Sequence, residues 1–251
     1  MRLLRRTGIV TIAFLLWSGA AIASTSYKTT VDNSGPIAYW RLGETSGTTA
    51  YPTMGSYVGT YKGSPKLGLT GLIINDTNKA PGFDGINNRV TANGLTSRTK
   101  TSWSKGYTLE AWVMTTTTSA EEHILAFNTK SGANGLAIFR DEPTNKFKFH
   151  ECESSSCATA YSKTTPVAGK IYQVVVTVNG SNRAHLYVNG SSQASFTSKA
   201  RPLQNGFFTI GAEYDCCPTP TSFWKGKIDE VAVYNHALTA TQVASQWNAG
   251  H

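Results

Sequence analysis

Alternation of apolar and polar positions dominates the second half of the chain. Tyr172, Val174, Val176 and Val178 alternate with Gln173 and Thr177, and Ala184, Leu186 and Val188 alternate with His185 and Tyr187. Successive side chains of a strand point to opposite faces, so each run predicts a strand with one face in a core. Joined through Asn179 to Arg183, the two runs predict a hairpin. Asn189-Gly190 is a type I′ turn signal, because both residues tolerate positive φ; it leads into a strand around Gln193 to Phe196. Phe207 to Gly211 supplies another strand. Ile228 to Tyr234 is apolar on both faces except for Asp229 and Glu230, as expected of a strand held inside a two-sheet core. Those two carboxylates therefore need partners. Residues 115–122, TTTTSAEE, form a polar connector.

The C-terminal stretch carries the one helix signal. Thr239 with Gln242 makes a T-x-x-Q capping box, and Leu238 and Val243 occupy the N′ and N4 positions of a hydrophobic staple. Val243 and Trp247, four residues apart, share one side of that helix. The pattern as a whole is all-β with a short C-terminal helix, and no internal repeat interrupts it.

The N-terminus sets the compartment. Arg2, Arg5 and Arg6 precede an apolar run from Ile9 to Trp17, and Ala21-Ile22-Ala23 forms an A-x-A site before Ser24, so residues 1–23 are expected to be a signal peptide. The apolar run is shorter than the ~20 residues a spanning helix needs, and no membrane span is expected in the mature chain. Removing the three arginines from 23 basic residues leaves 20 against 15 acidic, a net charge of +5. Lys and Arg are scattered singly, which argues against nucleic acid as a partner while leaving an anionic polysaccharide open. Residues 24–251 suit one sandwich with an ample core.

Four cysteines in an exported chain, Cys152, Cys157, Cys216 and Cys217, point to disulfides. Three pairings exist. The favoured one bridges Cys152 and Cys157 across a hairpin end and leaves Cys216 with Cys217; the alternatives staple the 150s loop to the 210s loop. A four-thiolate zinc site is disfavoured, because adjacent cysteines rarely both reach one tetrahedral ion. Either way the two loops are stiffened, and with Tyr161, Tyr214, Glu153 and Asp215 they offer a candidate recognition surface. Trp103, Tyr161, Tyr214 and Phe223 lie in or beside expected loops, where an aromatic ring either stacks on a sugar or anchors the loop.

Hydrolytic signatures are missing. There is no E-x-D-x-x-E strand, no G-x-S-x-G elbow, no H-E-x-x-H and no Gly-rich phosphate loop. Glu110 is a strand carboxylate without an acidic neighbour in sequence. His123, His150, His185 and His236 each stand alone. Asn75, Asn179 and Asn189 sit in N-x-S/T triplets and are taken as turn residues.

Six segments recur in a familiar order: AYWRLGETSGTTAY at 38–51, GTYKGSPKLGLTGLI at 59–73, APGFDGINNRV at 80–90, YTLEAWV at 107–113, HLYVNG at 185–190 and GKIDEVAVYNHALT at 226–239. Together they resemble the laminin G-like, concanavalin A-like jelly-roll family in its bacterial secreted form. The resemblance implies an antiparallel two-sheet jelly-roll sandwich with Trp40, Trp112 and Trp224 in its core. It also implies non-catalytic recognition, with a glycan or polysaccharide as the first ligand class. Protein–protein adhesion or surface assembly on a cell-surface protein is the alternative, and a polysaccharide hydrolase or lyase using Glu110 is a third. In similar jelly rolls a carboxylate near the end of the first strand and one in the last strand hold a structural calcium ion. The matching residues are Glu44 and Asp229, with Asp84 as a further candidate, and loop carbonyls would complete a shell of six to eight oxygens. Where the family pattern often has Asp after GTTAY, this chain has Pro52.

Overall fold

The alternating runs become strands that pair antiparallel throughout. The computed structural model describes residues 26–92, 94–97, 100–128, 135–202, 206–214 and 219–251; the expected signal peptide, Asp215, Cys216 and Cys217 lie outside them. Helix α1 (Tyr27–Asn33) is followed by β1 (Ala38–Trp40), β2 (Thr49–Ala50), β3 (Gly59–Lys62), β4 (Lys66–Thr70), β5 (Lys79–Asp84) and β6 (Arg89–Ala92). Then come β7 (Gly106–Thr115), β8 (Glu122–Asn128), β9 (Gly135–Asp141), β10 (Lys146–Glu153) and β11 (Ser156–Tyr161). The chain continues through β12 (Tyr172–Asn179), β13 (Arg183–Val188), β14 (Ser191–Thr197), β15 (Phe207–Ile210), β16 (Lys225–Tyr234) and helix α2 (Ala240–Gly250).

Sheet A runs β14-β13-β12-β7-β16-β5-β4, with β1 also on β16; sheet B runs β11-β10-β9-β8-β15-β6-β3-β2. The period of two puts Leu109, Ala111 and Val113 of β7 and Val174 and Val176 of β12 on the inner face of sheet A. There they meet Phe127, Ile138, Phe147 and Phe208 from sheet B. Trp40 stacks on Phe208 at 5.4 Å and Trp224 is buried in the same core, as expected, whereas Trp112 is buried on the outer face of sheet A instead of between the sheets. Asn189 (φ 52°) and Gly190 (φ 71°) both take the left-handed conformation that the β13–β14 turn requires. Asn179 accepts the backbone N–H groups of Ser181 and Arg183 through its side-chain oxygen, which fixes the β12–β13 turn.

The outer face of sheet A is covered by two helices. Helix α2 starts at the expected capping box, with Thr239 accepting from the Gln242 backbone and Gln242 reaching back. Trp247 stacks on Trp112 at 5.2 Å. Helix α1 was not expected from the sequence. Seven residues give too short a window for helical periodicity, yet Ser26 caps it, and Tyr27 and Val31 bury one side against Trp112. Among the described residues no helix is long and apolar enough to cross a membrane.

Cys152 and Cys157 face each other across β10 and β11 and form a disulfide. This local bridge overturns the two cross-loop pairings and the four-thiolate zinc site, because both thiols are consumed.

Candidate functional site

The unexplained carboxylates of β16 sit at a break in its edge. Strand β5 pairs with β16 from Lys225 to Lys227, and β1 takes over from Val231 to Val233. Between them the β7 register shifts across Asp229 to Ala232, and Glu230 adopts φ 52°, a bulge that re-aims its side chain. Glu230 accepts from the Arg41 guanidinium at 2.7 and 2.9 Å and from the Tyr39 hydroxyl. Burial pushes its pKa up, and Arg41 opposes that rise. Asp229 accepts the backbone N–H of Leu72 at 2.8 Å and of Glu230 at 3.0 Å. Burial, reinforced by Glu230, raises the Asp229 pKa well above the usual carboxylate range.

Asp229 and Glu230 are thus met by backbone N–H groups and by Arg41, the alternative to a bound cation. Arg41 is shared with Asp76 at 2.6 Å, so one cation faces three carboxylates here. Gly71 lets the following loop close on Asp229: a Cβ at Gly71 would lie 3.2 Å from the Asp229 Oδ2 and 2.6 Å from the Asn78 carbonyl oxygen. Glu44 accepts from the Tyr61 hydroxyl at 2.7 Å and the Tyr51 N–H at 2.8 Å. Burial, and then Glu44, raise the Tyr61 pKa. Asp229 and Glu44 would offer oxygen donors of the hard type calcium takes, and each already accepts hydrogen bonds from the protein.

Asp84 does not belong with them. It pairs across from Lys225, four residues along β16 from Asp229, or about 13 Å at strand rise. Its exposed carboxylate closes the β5–β6 turn by accepting the N–H groups of Ile86, Asn87 and Asn88. Against slight desolvation, those bonds lower its pKa.

Glu110 lies on the outer face of β7, beneath both helices. It accepts from Tyr27 at 2.8 Å, Gln173 at 2.8 Å and Tyr234 at 3.1 Å. Burial pushes its pKa up to about 7 despite those bonds. The carboxylate is sealed from any polymeric substrate, so its setting is that of a structural network rather than a cleft.

The outer face of sheet B differs. The register His123↔Phe139↔Lys148↔Tyr161 sets one row across β8, β9, β10 and β11. His123 stacks on Phe139 at 4.3 Å, and the Lys148 ammonium lies 5.0 Å from the Phe139 ring and 5.3 Å from the Tyr161 ring. Asp141 holds Lys148 at 3.0 Å. Two residues along, His150 stands between Ala137 and Thr159, with its Nδ1 at 2.8 Å from the Thr159 hydroxyl. Tyr161 is 41% exposed, so a ring face is presented at this edge.

The remaining expected ligand-binding residues fall in different places. Tyr214 lies by the middle of sheet B, stacked on Phe207 at 4.4 Å and only 8% exposed, so it packs there instead of offering a ring to a ligand. Four strand spacings, about 19 Å, separate β15 from β11. Trp103 is only 1% exposed and packs edge-on to Phe127 in the core, so the sugar-stacking expectation is corrected to one of packing. Phe223 is half-buried in the segment returning to β16. Asp215 lies outside the described residues. Sequence reading missed Phe139, Lys148 and His150. The period-two run from Lys146 to Glu151 shows which of its residues face outward, but register alone brings them beside Tyr161.

Two antiparallel sheets packed face to face, one backed by helices and the other turned outward, define a concanavalin A-like jelly roll. The sequence model described as the concanavalin A-like lectin/glucanases superfamily matches residues 84–244, more than half of the chain, and the chain belongs to that family. Among solved structures, domain 4 of an extracellular arabinanase from Geobacillus stearothermophilus, in complex with arabinotriose, is similar. It is 18% identical, with a TM-score of 0.64 over 86% of this chain and 98% of that one. The receptor-binding domain of a botulinum neurotoxin C/D mosaic serotype is 10% identical, with a TM-score of 0.64 over 86% of this chain and 51% of its own. Trypanosoma rangeli sialidase in complex with the inhibitor DANA is 14% identical, with a TM-score of 0.59 over 91% and 34%. The chain thus spans about half of the toxin domain and about a third of the sialidase, and at these identities the likeness is one of fold. No curated protein matches the chain in sequence.

Proposed function

We propose that the protein is a secreted carbohydrate-binding module whose ligand lies across β9 to β11 on the outer face of sheet B. The observation that carries this reading is the exposed Tyr161 ring with the Lys148 ammonium beside it and Thr159 and His150 in the next row. An aromatic face packs against the C–H face of a sugar, while hydroxyl and ammonium groups bond its hydroxyls. The arabinanase domain, solved with arabinotriose, lends the fold a precedent for this ligand class. The disulfide suits an oxidising compartment, in keeping with the expected signal peptide.

A structural calcium ion at Asp229, with Glu44 and loop carbonyls, belongs to the same proposal. It would offset the buried negative charge at the bulge, away from the sugar face.

The test is a broad glycan and polysaccharide panel on residues 24–251, in calcium buffer and in EDTA, repeated with Tyr161→Ala. Selective binding lost in the folded variant supports the reading. Silence from folded parent protein overturns it and moves the weight to a protein-binding adhesion role. Chelation is expected to lower the melting temperature by several degrees, about 1–2 kcal/mol for a domain this size. A melt unchanged between EDTA and millimolar calcium removes the ion from the proposal.

A further inference from the structure

Where β7 gives way to β8, three side chains from two stretches of the chain converge. Glu121 immediately precedes β8, His123 stands on it, and Glu213 lies in the segment between β15 and β16, where it bridges to Thr221. The His123 Nε2 is 3.2 Å from a Glu213 carboxylate oxygen and 3.5 Å from a Glu121 oxygen. One ligand atom from each residue lies within 4.8 Å of the other two. We infer that Glu121, His123 and Glu213 bind a divalent transition-metal ion of the zinc type, which fastens the segment between β15 and β16 to the head of β8.

Three observations carry this. His123 is 2% exposed, yet neither ring nitrogen makes a directed hydrogen bond. A buried polar group left in that state is costly, and a metal bond at Nε2 removes the cost for that nitrogen. The ring plane is already fixed by its near-parallel stack on Phe139, so the nitrogen is aimed before any ion arrives. The spacing also fits: bonds of about 2.0–2.2 Å to a tetrahedral ion put its ligands about 3.4 Å apart, and the two histidine–carboxylate separations bracket that value.

The donor chemistry selects the metal. One imidazole nitrogen with two carboxylate oxygens suits zinc and its late first-row neighbours, whereas calcium takes oxygen alone. The Lys148 ammonium, in the same row as His123, is bound to Asp141 at 3.0 Å. Glu121 is more than a third exposed, which gives an ion a way in and leaves room for water as the remaining ligand. The backbone already converges here, since the His123 N–H donates to the Ser222 carbonyl at 2.9 Å.

The test titrates tag-free residues 24–251 with zinc alone, with calcium held saturating, by calorimetry, and follows cobalt as a spectroscopic substitute. One equivalent should bind, cobalt should give an absorption band of low-symmetry coordination, and zinc should raise the melting temperature. Glu213→Gln and Glu121→Gln, both away from the core, should each weaken zinc by about tenfold or more while folding as the parent does. His123→Gln should abolish the band; should it fail to fold, the two glutamate variants decide. Absence of saturable binding to folded parent, or equal affinity in Glu213→Gln, overturns the site, the latter by placing the ion elsewhere.

Discussion

Sheets A and B are built from the same alternating strands, yet their outer faces carry different side chains. On sheet A the outward positions include Trp112, Val175, Tyr187 and Tyr234, which join α1 and α2 in a second apolar cluster. On sheet B the register links Thr49, Thr60, Thr91, Thr209, Ala126, Ala137, His150 and Thr159 in one row across all eight strands. Large apolar residues on an outer face must be covered, and helices from the two ends of the domain supply that cover. Small and hydroxyl side chains need no helix over them: Ala126 and Thr209 are buried without one, and sheet B keeps β10 and β11 accessible beside its aromatic row. The outward half of each strand pattern therefore decides whether a third layer forms.

The largest expected effect breaks the covered side. Trp112→Ala removes the ring on which Tyr27 and Trp247 both pack, and should cost about 3–5 kcal/mol in urea unfolding. A loss under about 1 kcal/mol would mean the helices hold to the sheet without it.

A second prediction concerns Glu110. Its folded pKa of about 7 stands above the ordinary 4.5, so its favourable contribution is complete below the lower value and is lost as pH rises through the upper one. At about 1.4 kcal/mol per unit the effect reaches about 3 kcal/mol. Parent protein should lose more stability than Glu110→Gln between about pH 5 and about pH 8. Parallel stability profiles would show that the carboxylate keeps its charge at little cost.

On sheet B the smallest effect on stability is expected where the effect on recognition is greatest. Tyr161→Ala should shift unfolding by less than about 1 kcal/mol, since the residue stands 41% exposed at the sheet edge, while removing glycan binding. A large destabilisation would make Tyr161 a packing residue and blur the distinction between the two faces.

The contrast was only half legible in the sequence. Strands with strict alternation, the Asn189-Gly190 turn and the Thr239 capping box are local patterns, and each appears where expected. Helix α1 is local too, but its single buried side spans only Tyr27 and Val31, which no window can separate from a loop. The oddity of Asp229 and Glu230 was visible; their resolution through Arg41, Asp76 and Leu72 required the bulge to be seen. Trp103 reads as a loop residue because its neighbours are polar, although its ring enters the core. The sheet B row draws on residues 123, 139, 148 and 161, whose meeting is a matter of strand register.

The placing of α1 and α2 gives the domain a back and a front. Ser26 and His251 border one hollow on the helical side, beside Ile74 and Asp76. A linker, bead or neighbouring module joined at either of those residues would depart from the back. Tethered in this way, the domain would hold Tyr161 and Lys148 away from its support, toward whatever passes in solution.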